Sequence, residues 1–274
     1  MRILKYKRAI TVIVSVGLLL TVGTISSIAQ AYDSVDYFPL GSTDEWYYTD
    51  DDDVVVDITK AVSGTEDIIT PVETKVITYS NDNRDYFTND DVNGLKRYGY
   101  YVDNFPINFP PYLTCSGPIT VTFDPAIPYV EAVMGLGDEI TESGTATFVF
   151  GGDCAIIGTK TLPYGSTSTV GDAIESIDVP LGPFRTITVV TEIDFTGTWT
   201  FLLGALVIKN PMPDFIQTHW LAKGVGAVKY DEKIYEDLSD DPLVLLSASL
   251  WKLVDTTRPI IRPMPWIPLL LLGD

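Results

Sequence analysis

Apolar and polar residues alternate with a period of two along most of this chain, and that rhythm leaves little room for any fold but an antiparallel sheet. β-Branched and aromatic side chains fill the alternating runs, and clusters of turn-forming residues separate them. Strands are expected at Val54 to Ile58, Val72 to Tyr79, Arg84 to Thr88, Leu95 to Val102, Ile119 to Phe123 and Ala146 to Phe150. Further strands are expected at Phe184 to Phe195, Thr198 to Ile208 and Gly226 to Tyr230. Asn93-Gly94 between two of these runs is a hairpin signal, because both residues tolerate the left-handed backbone that a tight turn needs. Only Val170 to Ile177 and Leu243 to Leu253 offer a helical alternative, and both are short.

The fold class that follows is all-β: one antiparallel curved sheet or partly open barrel of nine to twelve strands, with one or two short helices. A sheet of that size curls or closes to dispose of its edges. Prolines mark the joints. Phe105-Pro106 to Pro110-Pro111 reads as an extended connector, and Pro125 and Pro128 as breaks in the following segment. No internal repeat of fixed period is present, which disfavours a propeller or solenoid.

Three regions are expected. Residues 1–31 read as a secretory signal: Arg2, Lys5, Lys7 and Arg8 precede an apolar run from Ala9 to about Ile28, and Ala29-Gln30-Ala31 supplies a small-x-small cleavage site. An uncleaved anchor is the alternative, since about twenty apolar residues suffice to span a bilayer. Gly17, Gly23 and several hydroxyl residues dilute that run, so cleavage before Tyr32 is favoured. Residues 32–240 read as the antiparallel β domain. Residues 241–274 form a C-terminal segment with prolines at 259, 263, 265 and 268 and leucines from 269 to 272. Its prolines forbid a continuous helix, and four leucines are too few to cross a membrane, so no transmembrane span is expected once the signal is removed.

Charge narrows the partners. The chain carries a formal −19, and the signal holds four cations and no acids, so its removal takes the remainder four units lower, to −23. Such a surface disfavours nucleic acid and anionic membranes, both of which recruit Lys and Arg. With 46% hydrophobic and 11% aromatic residues the full chain has ample material for a core.

Cys115 and Cys154, the two cysteines of the chain, are expected to pair in an oxidising compartment. Neither has a second Cys or His at ligand spacing, so a metal centre is not expected there. His219, the single histidine, sits beside Trp220 with no Gly-x-Ser-x-Gly elbow anywhere, and reads as packing rather than as a triad member. Paired carboxylates such as Asp138-Glu139 or Glu192/Asp194 are the chance products of thirty-seven acids. Asp50 to Asp53 and Asn81-Asp82-Asn83-Arg84-Asp85 offer hard oxygen ligands. Both lack EF-hand spacing, and they read as polar turns. Gly224-Val225-Gly226 lacks the Gly-Lys-Ser/Thr ending of a phosphate loop and reads as a turn or bulge. No catalytic, cofactor or metal residues are assigned, and no cofactor is expected.

Several phrases together resemble a diffuse group of exported bacterial β proteins of unknown function, similar to the TapB-like secreted proteins. They are Tyr37-Phe38-Pro39-Leu40-Gly41 with Trp46 and Tyr48, Asn93-Gly94-Leu95, Val179 to Phe184, and Trp220 to Lys229. Leu181 and Pro183 stand where Ala and Thr are usual in the group. The resemblance implies a curved or incompletely closed barrel of the kind that shields apolar ligands. Its landmarks are structural: Phe38 and Trp46 as core anchors, Gly182 as a tight turn before Phe184, and Gly224 and Gly226 as a second turn after Trp220. The functional expectation is an exported, non-enzymatic β protein of the cell envelope, in the periplasm or outside the cell, that binds an apolar small molecule. Two alternatives stand beside it: an interaction component that engages an envelope protein through its tail, and a carboxylate-dependent hydrolase.

Overall fold

A long alternating sheet keeps its apolar face dry and leaves no unpaired edge if its last strand returns to its first. This chain adopts that solution. The computed structural model describes residues 31–50, 56–109, 113–197, 199–200, 207–208, 213–235 and 245–260. Residues from Ala31 onward form one compact unit. The signal reading of residues 1–30, the start of the Val54 to Ile58 strand and the tail beyond Ile260 lie outside the described residues.

The elements in chain order are β1 (Tyr32–Asp33), α1 (Ser34–Tyr37), β2 (Glu45–Thr49), β3 (Ile58–Ile69), β4 (Val72–Tyr79), β5 (Arg84–Asp90), β6 (Gly94–Phe109), β7 (Leu113–Val130) and β8 (Val133–Met134). There follow β9 (Glu139–Phe150), a 3-10 turn (Gly152–Ile157), β10 (Thr159–Val179), β11 (Gly182–Phe195), β12 (Trp199–Thr200), β13 (Val207–Ile208), β14 (Asp214–Ala222), β15 (Gly226–Tyr235) and β16 (Leu245–Thr256). Twelve of the described strands close a barrel in the order β10-β11-β14-β15-β16-β2-β3-β4-β5-β6-β7-β9, and β9 pairs back onto β10. Every ladder is antiparallel. The all-β sheet is thus fully closed and sits at the upper end of the expected strand number.

Four sequence expectations change. Val170 to Ile177 is strand, not helix: it belongs to β10, and a register shift between Val170 and Ile174 breaks the alternation that would have marked it. Leu245–Thr256 is also strand, pairing with β15 on one side and β2 on the other, so the barrel continues past residue 240. Phe105 to Phe109 is no connector but the end of β6, laddered to Leu113–Gly117. Pro125 and Pro128 lie within β7, where further shifts in the β6–β7 register absorb them. In the described part of Thr198 to Ile208, only the two-residue strands β12 and β13 pair, apart from the barrel.

The alternation sorts side chains to the two faces. Along β11, Ile187, Val189, Thr191, Ile193 and Phe195 are buried, while Glu192 between them is exposed. Along β10, Leu162, Tyr164, Ser166, Ser168 and Val170 are buried against a more exposed set dominated by threonine. The main apolar cluster gathers Phe123, Phe148, Phe195, Ile127, Ile187 and Ile193 with their neighbours. A second groups Trp46, Tyr48, Val62, Val179, Val228 and Leu253.

One end of the barrel is plugged by the chain's own beginning. Asn89, at the end of β5, donates its amide to Ser34 O and Phe38 O, at 3.2 and 2.7 Å. On the far wall the β14–β15 turn donates Gly224 N to Asp36 O at 2.6 Å, and Lys223 pairs with Asp36 at 2.8 Å. Helix α1 therefore bridges opposite sides of the barrel. Beneath it Phe38 packs against Phe87 of β5 and His219 of β14. At the other end Cys115 of β7 and Cys154 of the 3-10 turn form a disulfide, with Cα atoms 5.3 Å apart.

Candidate functional site in the barrel interior

Inward positions of an all-β barrel are usually apolar, yet here the middle of the barrel holds a charged and aromatic network. Asp85 from β5 pairs with Arg97 from β6 and also accepts the hydroxyl of Tyr79 from β4. Arg97 Nη1 donates to Gln217 Oε1 from β14 at 3.3 Å. The same oxygen accepts the hydroxyl of Tyr129 from β7. Gln217 Nε2 in turn donates to Glu232 of β15 at 2.5 Å. A chain of hydrogen bonds thus crosses the lumen from β4 to β15. Each partner satisfies a group that would otherwise cost several kcal/mol to bury.

Lys60 of β3 lies on the plugged side of this network. Its ammonium sits over three tyrosine rings, 4.0 Å from the centroid of Tyr230, 4.7 Å from Tyr79 and 5.3 Å from Tyr48. Ring faces offer the negative potential that a desolvated ammonium lacks. Burial still pushes its pKa down to about 8, with Asp85 and Glu232 pulling the other way. His219 lies between Tyr129 and Tyr230, ring centroids 5.7 and 5.2 Å away. Burial, reinforced by Lys60 and Arg97, drives its pKa down to about 3, so the imidazole is neutral. Burial also pushes Tyr129 up to about 12, and Tyr79 and Tyr230 rise for the same first reason.

Between this network and the end opposite α1 lies a cavity of about 240 Å³. Its walls are largely aromatic, from Phe105, Phe123, Phe195 and Phe215, and its base is formed by Arg97, Tyr100, Gln217 and Glu232. Exposed Arg84, with Asn83 and Val102, marks the rim.

Of the sequence-singled residues, His219 lines this cavity. Phe38 contacts it from the plug side. Trp46 is buried in the second cluster and donates Nε1 to Val225 O at 2.6 Å. Gly226, at φ +102°, lies against the Trp46 indole, where a Cβ would come within 3.2 Å of Nε1. Gly224 has φ +75° in the β14–β15 turn, and Gly182 opens β11 with φ +125°. Phe184 and Trp220 are partly buried at the second cluster, and Lys229 covers the Trp220 ring at 4.3 Å. Of the carboxylate pairs, Glu139 and Glu192 are exposed and Asp138 accepts Gly135 N. In the Asn81–Asp85 turn, Asp85 points inward to its partners. Of the aspartate run, Asp51 to Asp53 fall outside the described residues.

Sequence reasoning placed Asp85 in a polar turn and passed over Arg97, Gln217 and Glu232. The available signal was a charged or amide residue in phase with buried neighbours, as in Leu95-x-Arg97 and Asp85-x-Phe87, where an outward charge would fall out of phase.

No protein-family model matches the chain, and no curated protein matches it either. Two solved structures are similar to it in part. One is a candidate lipoprotein of Parabacteroides distasonis, 13% identical, with 80% of this chain and 97% of that one covered at a TM-score of 0.31. The other is a candidate exported protein with a YmcC-like fold from Bacteroides fragilis, 16% identical, with 81% and 98% covered at a TM-score of 0.35.

Proposed function

We propose that this protein is an exported, non-enzymatic β-barrel of the bacterial cell envelope that holds a small molecule inside the barrel. The observation that carries the reading is the aromatic-walled cavity of about 240 Å³ with convergent polar groups at its base. Ligand sites of this kind commonly run to about 300–1,000 Å³, so the occupant is compact and not a long acyl chain. Export rests on the secretory-signal reading of residues 1–31. The faces of the described strands support a barrel that stands in water. Apolar residues predominate among its buried side chains on either side of the central polar network, and threonine and acids are frequent outside, unlike the apolar outer band of a barrel that meets lipid. Asp85 supports binding over hydrolysis, since both its oxygens are already engaged by Arg97 and Tyr79.

Native mass spectrometry of the protein recovered without denaturation is expected to show one small molecule per chain. Ile193→Trp, which fills the cavity from β11, should release it. A bare mass for wild-type protein in every preparation would overturn the reading.

A further inference from the structure

Three polar atoms at the cavity have no hydrogen-bond partner among the described residues: Arg97 Nε, Tyr100 OH and His219 Nδ1. Arg97 and His219 are 7% and 9% exposed, so bulk water does not satisfy them. A buried polar atom left without a partner is costly, and most buried polar atoms in folded proteins have one. Arg97 Nη1 donates to Gln217 and Tyr129 and Nη2 donates to Asp85, which leaves Nε as the guanidinium nitrogen with no partner among the described residues. The Tyr100 ring lies beneath that guanidinium, 4.8 Å from its centre, so the free hydroxyl and the free N–H belong to one rigid pair.

Charge selects the occupant further. The described charged residues that line the cavity are two cations, Arg84 at the rim and Arg97, and two anions, Asp85 and Glu232. Arg97 is paired to Asp85, and Glu232 accepts from the Gln217 amide. A charged ligand would therefore shed its hydration in a lining whose charges already balance. The walls it would touch are aromatic, which favours a flat ring over a branched aliphatic body.

We infer that the cavity takes a neutral aromatic molecule whose single polar group accepts hydrogen bonds from Arg97 Nε–H and the Tyr100 hydroxyl. The inference rests on the reading of the cavity as a binding site and adds the ligand's chemical class to it. Four probes with the same ring and different heads test it: benzamide, benzoate, benzylammonium and toluene, titrated by isothermal calorimetry or ligand-observed NMR. Benzamide should bind at least about tenfold more tightly than the other three. Tyr100→Phe keeps the ring and removes the hydroxyl. It should weaken benzamide about five- to tenfold and leave toluene unchanged, and the toluene titration also reports that the variant is folded. Equal binding of toluene and benzamide, or preference for benzoate or benzylammonium, overturns the ligand class while the cavity reading stands. An unchanged benzamide affinity in Tyr100→Phe overturns it too. If no probe binds and the native protein is also bare, both readings fall together.

Discussion

Arg97 shows what a barrel lumen demands of a single side chain. The residue is 7% exposed, and its charge is tolerable because Asp85 lies against Nη2 and Gln217 and Tyr129 accept from Nη1. Removing one partner strands the other. Asp85→Ala is expected to cost about 3–5 kcal/mol in denaturant unfolding, whereas Asp85→Leu combined with Arg97→Met should cost much less. His219 makes a second residue-scale prediction. Its pKa falls from 6.5 to about 3 on folding, so between those values the unfolded chain binds the extra proton. The histidine's contribution is therefore fully present above about pH 6.5 and is lost as pH falls towards 3, by at most about 1.4 kcal/mol per pH unit. Replacing it as His219→Phe should flatten the stability profile across that window relative to wild type. If the two profiles run parallel, the imidazole is not buried as described. The network around these residues was hard to read in the sequence for a physical reason. A polar residue among alternating apolar ones is normally assigned to the outer face, and only closure brings β5, β6, β14 and β15 to one centre.

Individual elements differ in how openly their sequence declares them. Val72–Tyr79 reads as one half-buried strand, and β4 has those bounds. Asn93-Gly94 closes the β5–β6 hairpin, with Gly94 at φ +72° and Val130 O where its Cβ would be. Where the ladder slips, the rhythm is lost. The β10 register shifts between Val170 and Ile174, and the shifts at Ile234/Tyr235 and Leu253/Asp255 flank β16 on its two sides. Both stretches consequently look like helices in one dimension. The disulfide is an element-scale device, fastening the long β7 strand to the 3-10 turn that leads from β9 into β10. With the cysteines 39 positions apart, the chain-entropy model assigns it about 4 kcal/mol. Reduction, or the pair Cys115→Ser and Cys154→Ser, should lower the unfolding free energy by about that amount. An unfolding curve that does not move would show that the bridge adds nothing to the fold.

At the scale of the whole molecule, the all-β class and the strand number were legible because every exposed edge in a sheet this large must be hidden. The closing partner was not, because β16 had lost its alternation and it is β16 that joins β15 to β2. The plug was legible only in its residues: Phe38 is plainly an apolar anchor, but nothing local says that it reaches from β5 to β14. That plug has a kinetic consequence. Among the described residues α1 and Phe38 cover one end, so an occupant of the cavity would enter and leave by the opposite end. A bulkier rim, as in Val102→Phe, should then slow association and dissociation by a common factor and leave Kd within about twofold, as microscopic reversibility requires of a shared barrier. The binding protein proposed above would then store and exchange its cargo rather than conduct it.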